Sequence, residues 1–377
     1  MPSRASPTPP VLDVVVVGQT PPPQHGQAIM IRHMLDAGGG PNVRFHHVRL
    51  AFSETIADVG RPRAGKLLEA LRVIARVVAA RFRHGATVLY YPPAPPRRVP
   101  LVRDLMILIP TRWLFQHTVF HFHAGGLSDL IPALPAPLRW ACALAYGSPD
   151  AVIRTSSMNP EDGKALRARR EYVVPNCVED QSPAYRHVRR SLTPEVLYVG
   201  RVSEAKGALV ALEACRQLRD QGRAFHLSVI GGFESAAFEA VVASFVRTHR
   251  LESHVTFLGE LTGAPKWESF ARAWMLCFPT HFEGESFGLV ALEAMSFGLP
   301  VVATHWRGVP SVVVDGETGF LVPVKDAVAV ADRIGRLLDD ADLRTQMGER
   351  GRARFHEHFT PRRFFEGMRD VFETLRD

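Results

Sequence analysis

The chain has 377 residues, 46% apolar and 22% charged, and a formal net charge of +7. That length is too great for one comfortable core and points to two domains, and the composition excludes disordered and fibrous classes. The four scattered cysteines form no Cys-x-x-Cys pair, which argues against a zinc site and a disulfide scaffold and fits a reducing cytoplasm.

The charge is uneven. Residues 1–180 hold 21 Lys+Arg and 13 Asp+Glu, a net +8, while the remainder holds 24 and 25, a net −1. A basic first half suggests an anionic partner. The plainer reading is a coding bias toward arginine, since only five of the 45 cations are lysine. The N-terminal apolar run is too short and too late for a signal peptide, and no segment approaches the ~20 apolar residues that cross a bilayer. A soluble or peripheral protein is expected, cytoplasmic or on the inner face of a membrane, with no nucleic-acid partner.

The first element is Val11-Leu12-Asp13-Val14-Val15-Val16-Val17-Gly18, a β-branched run suited to a strand buried on both faces of a parallel sheet. Its loop, Gln19 to Gln27, lacks the G-x-G-x-x-G of dinucleotide-binding turns and leads into a helix from Ala28. Arg61–His84 reads as a helix with Lys66, Glu69, Arg72, Arg76 and Arg83 along one stripe. This is either a solvated cationic face or a membrane-surface element. Strands follow at Thr87–Tyr91, Thr118–His123 and Ala151–Thr155. A last strand runs into Val174-Pro175-Asn176, and the polar stretch Glu179 to Pro183 marks the domain boundary.

The second half restarts the alternation. Strands are predicted at Val196–Gly200, Phe225–Gly231, Val255–Gly259, Met275–Pro279 and Val301–Thr304, with helices over Gly207–Gln221 and after Phe287. The boundaries become 1–178 and 179–360, with a final helix over 361–377. Two βα series imply an α/β protein of two Rossmann-like domains facing across a cleft, where a ligand is expected.

Three clusters carry chemistry. In His281–Val302, Glu285 lies on a loop and Glu293 nearly two turns into the helix that starts near Phe287 or Gly288. The first turn of that helix offers free N–H groups and a partial positive charge, and Gly288 lets a phosphate approach. The two carboxylates then suit a grip on a hydroxyl-rich, phosphorylated ligand, although two surface helix charges are an equally open reading. In Gly200-Arg201-Val202-Ser203-Glu204-Ala205-Lys206-Gly207, two cations straddle a turn at a strand's carboxyl end, which suits a diphosphate. Exposed loop cations are the bland alternative. In Phe120–Gly126, His121 and His123 share a strand face, and core histidines are the commoner outcome. His123, at the strand end, is the better functional candidate, and no third ligand nearby supports zinc.

Together, the strand-end His, the Val-Pro-Asn hinge, Val-Gly-Arg…Glu-Ala-Lys-Gly, Glu-x7-Glu within EGESFGLVALEAM and Asp-Gly-Glu-Thr-Gly-Phe-Leu-Val-Pro resemble the retaining GT-B glycosyltransferases of family four. The resemblance implies a nucleotide-diphosphate sugar as donor, UDP- or GDP-linked. Arg201 and Lys206 would hold the diphosphate, and the backbone amides of Phe287, Gly288 and Leu289 would cap the phosphates. Glu285 would bind the sugar hydroxyls and Glu293 the ribose. His123 would face the donor sugar, with Gly26 closing over the diphosphate and acceptor side, and residues 259–261 near the base. The final helix would pack back on the first domain. No cofactor or metal is implied.

Two departures bear on the acceptor rather than the donor. The first loop reads Pro-Pro-Pro-Gln-His-Gly26-Gln where many members have adjacent glycines, and Pro92-Pro93-Ala94-Pro95-Pro96 replaces a common His. A glycan or lipid-linked acceptor is expected, from cell-envelope or exopolysaccharide assembly, with an anionic membrane surface as a further partner. A non-hydrolysing nucleotide-sugar epimerase and a catalytically silent donor-binding subunit are the alternatives.

Overall fold

A computed structural model of the protein describes residues 11–22, 26–50 and 65–376. Part of the first loop (23–25) and the predicted helix start (61–64) lie outside the described residues. The chain forms two compact units, Met1–Pro175 with Phe364–Asp377, and Asn176–Arg363.

The first unit is built on β1 (Leu12–Gly18), β2 (Val43–Arg49), β3 (Val88–Tyr91), β4 (His117–Phe122), β5 (Ala151–Arg154) and β6 (Arg170–Val173). They form one parallel sheet in the order β2-β1-β3-β4-β5-β6. Val14 to Val17 of β1 are fully buried, as a strand covered on both faces requires. Strand β2, Val-Arg-Phe-His-His-Val-Arg, sits at the sheet edge, and its charged positions hide it from a search for apolar runs.

The second unit repeats the plan with β7 (Glu195–Val199), β8 (His226–Ile230), β9 (Val255–Gly259), β10 (Met275–Phe278), β11 (Val301–Thr304) and β12 (Gly319–Val322). Its order is β12-β11-β10-β7-β8-β9, again all parallel. Alternate residues of β7 feed two separate cores, Val196 and Tyr198 on one face and Leu197 on the other. Both units are therefore Rossmann-like α/β domains. Strand β12 is the other element that periodicity does not single out, being a four-residue edge strand.

The first unit buries a carboxylate among several donors. Asp104, on the helix Arg98–Thr111, is completely buried. Its carboxylate accepts from the Tyr91 hydroxyl (2.7 Å), the Tyr146 hydroxyl (3.0 Å), the Ala94 N–H (2.7 Å) and the Arg103 guanidinium (2.8 Å). A buried charge left unpaired would cost several kcal/mol, so this hub pins the proline-rich loop after β3 to the helix behind it.

The last helix, Pro361–Glu373, buries Phe364, Met368, Val371 and Phe372 along one face. The Phe372 ring meets Phe45 at 5.4 Å and Tyr90 at 6.1 Å. The helix Gly65–His84 departs from the simple amphipathic expectation. It buries Ala70, Val73 and Val77 but leaves Leu67, Leu68, Leu71 and Phe82 more than half exposed. Among the described residues no helix is long and apolar enough to cross a membrane. All four cysteines are free and buried, and burial pushes the Cys177 and Cys277 thiols up to about 12, which removes them as nucleophiles at neutral pH.

His121 lies wholly inside, its Nδ1 2.7 Å from the Tyr90 hydroxyl and its ring 4.0 Å from that of His123. Burial, and secondarily His123, hold its pKa well below the ordinary value of 6.5. The folded state therefore refuses a proton that the unfolded chain accepts near pH 6.5, so stability is lost as pH falls through that value. Between pH 7 and pH 5.5 this one site should remove about 1 kcal/mol. Urea denaturation of His121→Gln should show an acid loss smaller by that amount, and an unchanged loss would contradict the assignment.

Candidate functional site

In the second sheet the chain runs from β7 outward to β8 on one side and later returns to place β10 on the other. The loops after β7 and β10 thus leave the sheet side by side at its carboxyl end, the place where open parallel sheets hold ligands. Residues 200–207 form the first loop and residues 279–288 the second.

The first loop is drawn tight from below. The buried Tyr198 hydroxyl donates to the carbonyls of Arg201 (3.1 Å) and Lys206 (3.2 Å), across the turn. Gly207 closes it at φ +77°, and a Cβ there would lie 2.1 Å from the Pro279 carbonyl oxygen. Only glycine allows that contact between the loops. The second loop is tied by the His281 N–H to Ala205 O (2.8 Å), by Glu285 N–H to Phe282 O (2.9 Å) and by the Trp306 indole N–H to Phe282 O (2.8 Å).

These ties bring Lys206 and Glu285 together. Lys206 Nζ lies 2.6 Å from Glu285 Oε2 and 4.8 Å from the centre of the Phe282 ring. The Thr280 hydroxyl approaches the same oxygen at 3.4 Å. Glu285 is therefore neither a lone acid nor a free surface charge. Arg201, on the first loop, is exposed.

The helix expected to start near Phe287 or Gly288 spans Leu289–Ser296. Gly288 caps it at φ +83°, and a Cβ there would meet the Phe278 ring at 2.8 Å. No side chain caps that end of the helix. Phe287 lies outside the helix with its ring buried 5.7 Å from Phe359.

Glu293 is mostly buried and has its own lysine. Lys266 Nζ is 2.7 Å from Glu293 Oε1, and its ammonium lies 4.4 Å from the Trp267 ring centre. Burial raises the Glu293 carboxyl above its ordinary pKa, and the charge and hydrogen bond of Lys266 act against that rise. Sequence reasoning missed Lys266. A signal existed: lysine is scarce in this chain, and two of its five lysines pair with the two glutamates.

The remaining expected residues belong to the first unit. His123 follows β4 and is buried. The glycines after it are braced by a residue that sequence reasoning also missed. The fully buried Asp162 accepts from the Gly126 N–H (2.9 Å) and the Ser128 N–H (2.6 Å). Gly26 opens the helix Gly26–Ala37 after β1, at the point where the first sheet also reverses order. Arg201, Lys206, Glu285, Gly288, Leu289 and Glu293 thus gather at one end of the second sheet, and His123 and Gly26 at the corresponding end of the first.

Residues 186–354 match the model of the family described as Glycosyl transferases group 1. Among curated proteins, D-inositol 3-phosphate glycosyltransferase of Corynebacterium diphtheriae is 37% identical over 161 residues, 41% of this chain and 37% of that protein. The capsular polysaccharide biosynthesis glycosyltransferase CapM of Staphylococcus aureus is 29% identical over 186 residues, 47% of this chain and 45% of that protein. The match spans less than half the length of these relatives. Among solved structures, Anabaena Alr3699/HepE in complex with UDP has a TM-score of 0.72 at 18% identity, covering 96% of this chain and 100% of that one. Sucrose-phosphate synthase from Thermosynechococcus elongatus has a TM-score of 0.70 at 20% identity, covering 97% and 99%. The two-domain fold is shared with both.

Gly207→Ala tests the loop construction. The strained φ and the backbone contact at Pro279 should cost ~2–3 kcal/mol of folding free energy. A urea midpoint equal to that of the wild type would contradict this packing.

Proposed function

We propose that this chain, whose residues 186–354 match the model of the group 1 glycosyl transferases, moves a sugar from a nucleotide-diphosphate donor to an acceptor hydroxyl with retention of anomeric configuration. The observation that carries the reading is the pairing of two carboxylates with two lysines beside a glycine-capped helix start, at the switch point of a parallel sheet.

Each part has a task. The donor diphosphate takes Lys206 from Glu285 and adds Arg201 and the amides around Gly288 and Leu289. These groups meet the charge that develops on the leaving nucleoside diphosphate, and they do so without a metal ion. Glu285, released from its lysine, accepts hydroxyls of the donor sugar, and Glu293 accepts those of the ribose. The C1–O bond to phosphate breaks and the acceptor oxygen bonds C1 from the same face. The departing phosphate oxygen takes the acceptor's proton. His123 and Gly26 are assigned to the reacting-carbon and acceptor side.

The acceptor is proposed to be a lipid-linked glycan of envelope or exopolysaccharide assembly. CapM is a capsular polysaccharide enzyme, and HepE was solved with UDP, which fits this donor and acceptor class. Lipid surfaces also suit the helix Gly65–His84. Its exposed Leu67, Leu68 and Leu71 adjoin exposed Arg72 and Arg76, in a half of the chain that carries +8. An apolar patch with a cationic flank docks on anionic headgroups.

Pure protein, UDP- and GDP-sugars and membrane lipid extract, with chelator present, should release nucleoside diphosphate from one donor. Release should need lipid and fall by about 100-fold or more in Glu285→Ala, given charge-assisted bonds made to the reacting sugar. A donor that is epimerised without acceptor, or bound and left intact, would overturn the transferase reading. Separately, Leu68→Glu/Leu71→Glu should weaken binding to phosphatidylglycerol vesicles about tenfold or more, from the lost apolar burial. Equal binding by both proteins would remove the docking surface.

A further inference from the structure

We propose that Lys266 is a positioning residue for Glu293: its ammonium holds the buried carboxylate charged and aimed at the ribose diol, and so makes the site prefer ribonucleotides over their 2′-deoxy forms. The inference rests on the assignment of Glu293 to the donor ribose.

The two residues come from different helices. Lys266 is in the first turn of Ala264–Arg272, directly after β9 and its loop, and Glu293 is in the second turn of Leu289–Ser296, after β10. Their side chains meet at 2.7 Å with 19% and 15% of their surface exposed. The ammonium is further confined by Trp267 at 4.4 Å and Phe270 at 5.8 Å, whose faces attract a cation. Lys266 binds Oε1, which leaves Oε2 as the acceptor for a ligand hydroxyl.

Charge is what makes the pair functional. A ribose diol presents O–H donors, and an ionised carboxylate is an acceptor on both oxygens. Burial works against that ionised form here, and the charge and hydrogen bond of Lys266, 2.7 Å away, act in its favour. Among the described residues, Arg352 on Ala341–His358 is another cation that reaches the same helix. It bonds Ser296 O, the Ser182 hydroxyl and Asp180, next to His356, and not Glu293. Without Lys266 the carboxyl would take a proton at higher pH, and the diol would lose its charged acceptor.

The test compares UDP and GDP with their 2′-deoxy forms by calorimetric titration from pH 6 to pH 9. Wild type should bind one ribonucleotide about tenfold or more tighter than its deoxy form, as a bond to a charged acceptor implies. In Lys266→Met the ratio should be lower than that of wild type at pH 6 and recover toward it as pH rises, because Glu293 ionises at higher pH without its lysine. Lys266→Arg should restore the ratio. Damage to the fold would weaken both nucleotides alike and leave the ratio unchanged. Should Lys266→Met not fold, Lys266→Gln carries the same expectation. Glu293→Gln separates the two assignments. If it loses the ratio while the neutral Lys266 variants keep it at every pH, the role of Lys266 is overturned and the ribose assignment stands. If Glu293→Gln keeps the ratio, or neither nucleotide binds wild type, the ribose assignment fails and the inference with it.

Discussion

Two carboxylates held largely out of water, each by one lysine ammonium at 2.6–2.7 Å, set the terms for the carboxyl end of the second sheet. A buried carboxylate alone is expensive, and removing one partner of such a pair typically costs about 3–5 kcal/mol. The loops after β7, β9 and β10 must therefore meet as they do for the charges to be matched. Lysine suits this work in a chain whose cations are otherwise nearly all arginine. Its ammonium is a compact charge on a flexible stem, and it can leave a carboxylate for a phosphate without disturbing a bidentate fork.

The scaffold beneath supplies the rigidity that such an exchange needs. Tyr198 fixes both ends of the first turn, Trp306 fixes the second, and Gly207 lets their backbones touch. None of these residues reaches a ligand in the proposed scheme. They keep Lys206 and Glu285 within bonding distance, so that the site is assembled before the donor arrives. The first unit follows the same logic with different parts. Asp104 anchors the loop after β3, and Asp162 anchors the glycines after β4.

Much of this was legible in the sequence because buried parallel strands announce themselves. The β-branched runs of β1, β7 and β11 could be little else, and the Gly-Arg…Lys-Gly and Glu-x7-Glu spacings placed their residues on the loops that follow such strands. Strand β2 escaped because an edge strand needs no continuous apolar run, and β12 because it is only four residues long. The pairings escaped for another reason. Lys206 and Glu285 stand 79 positions apart and Lys266 and Glu293 27 apart, and no periodicity links them. Charge alone suggested Lys206 for a phosphate, and the sheet order that makes Glu285 its resting partner is a tertiary fact. Likewise the charged stripe read for this helix does not disclose that Leu67, Leu68 and Leu71 stand in solvent.

A crystal structure of the protein with bound UDP or GDP is the most direct measurement. The diphosphate should lie on Arg201, Lys206 and the first turn of Leu289–Ser296, with Lys206 parted from Glu285 and the ribose on Glu293. A nucleotide bound elsewhere, with both lysine–glutamate pairs still closed, would contradict the exchange on which the donor site is built.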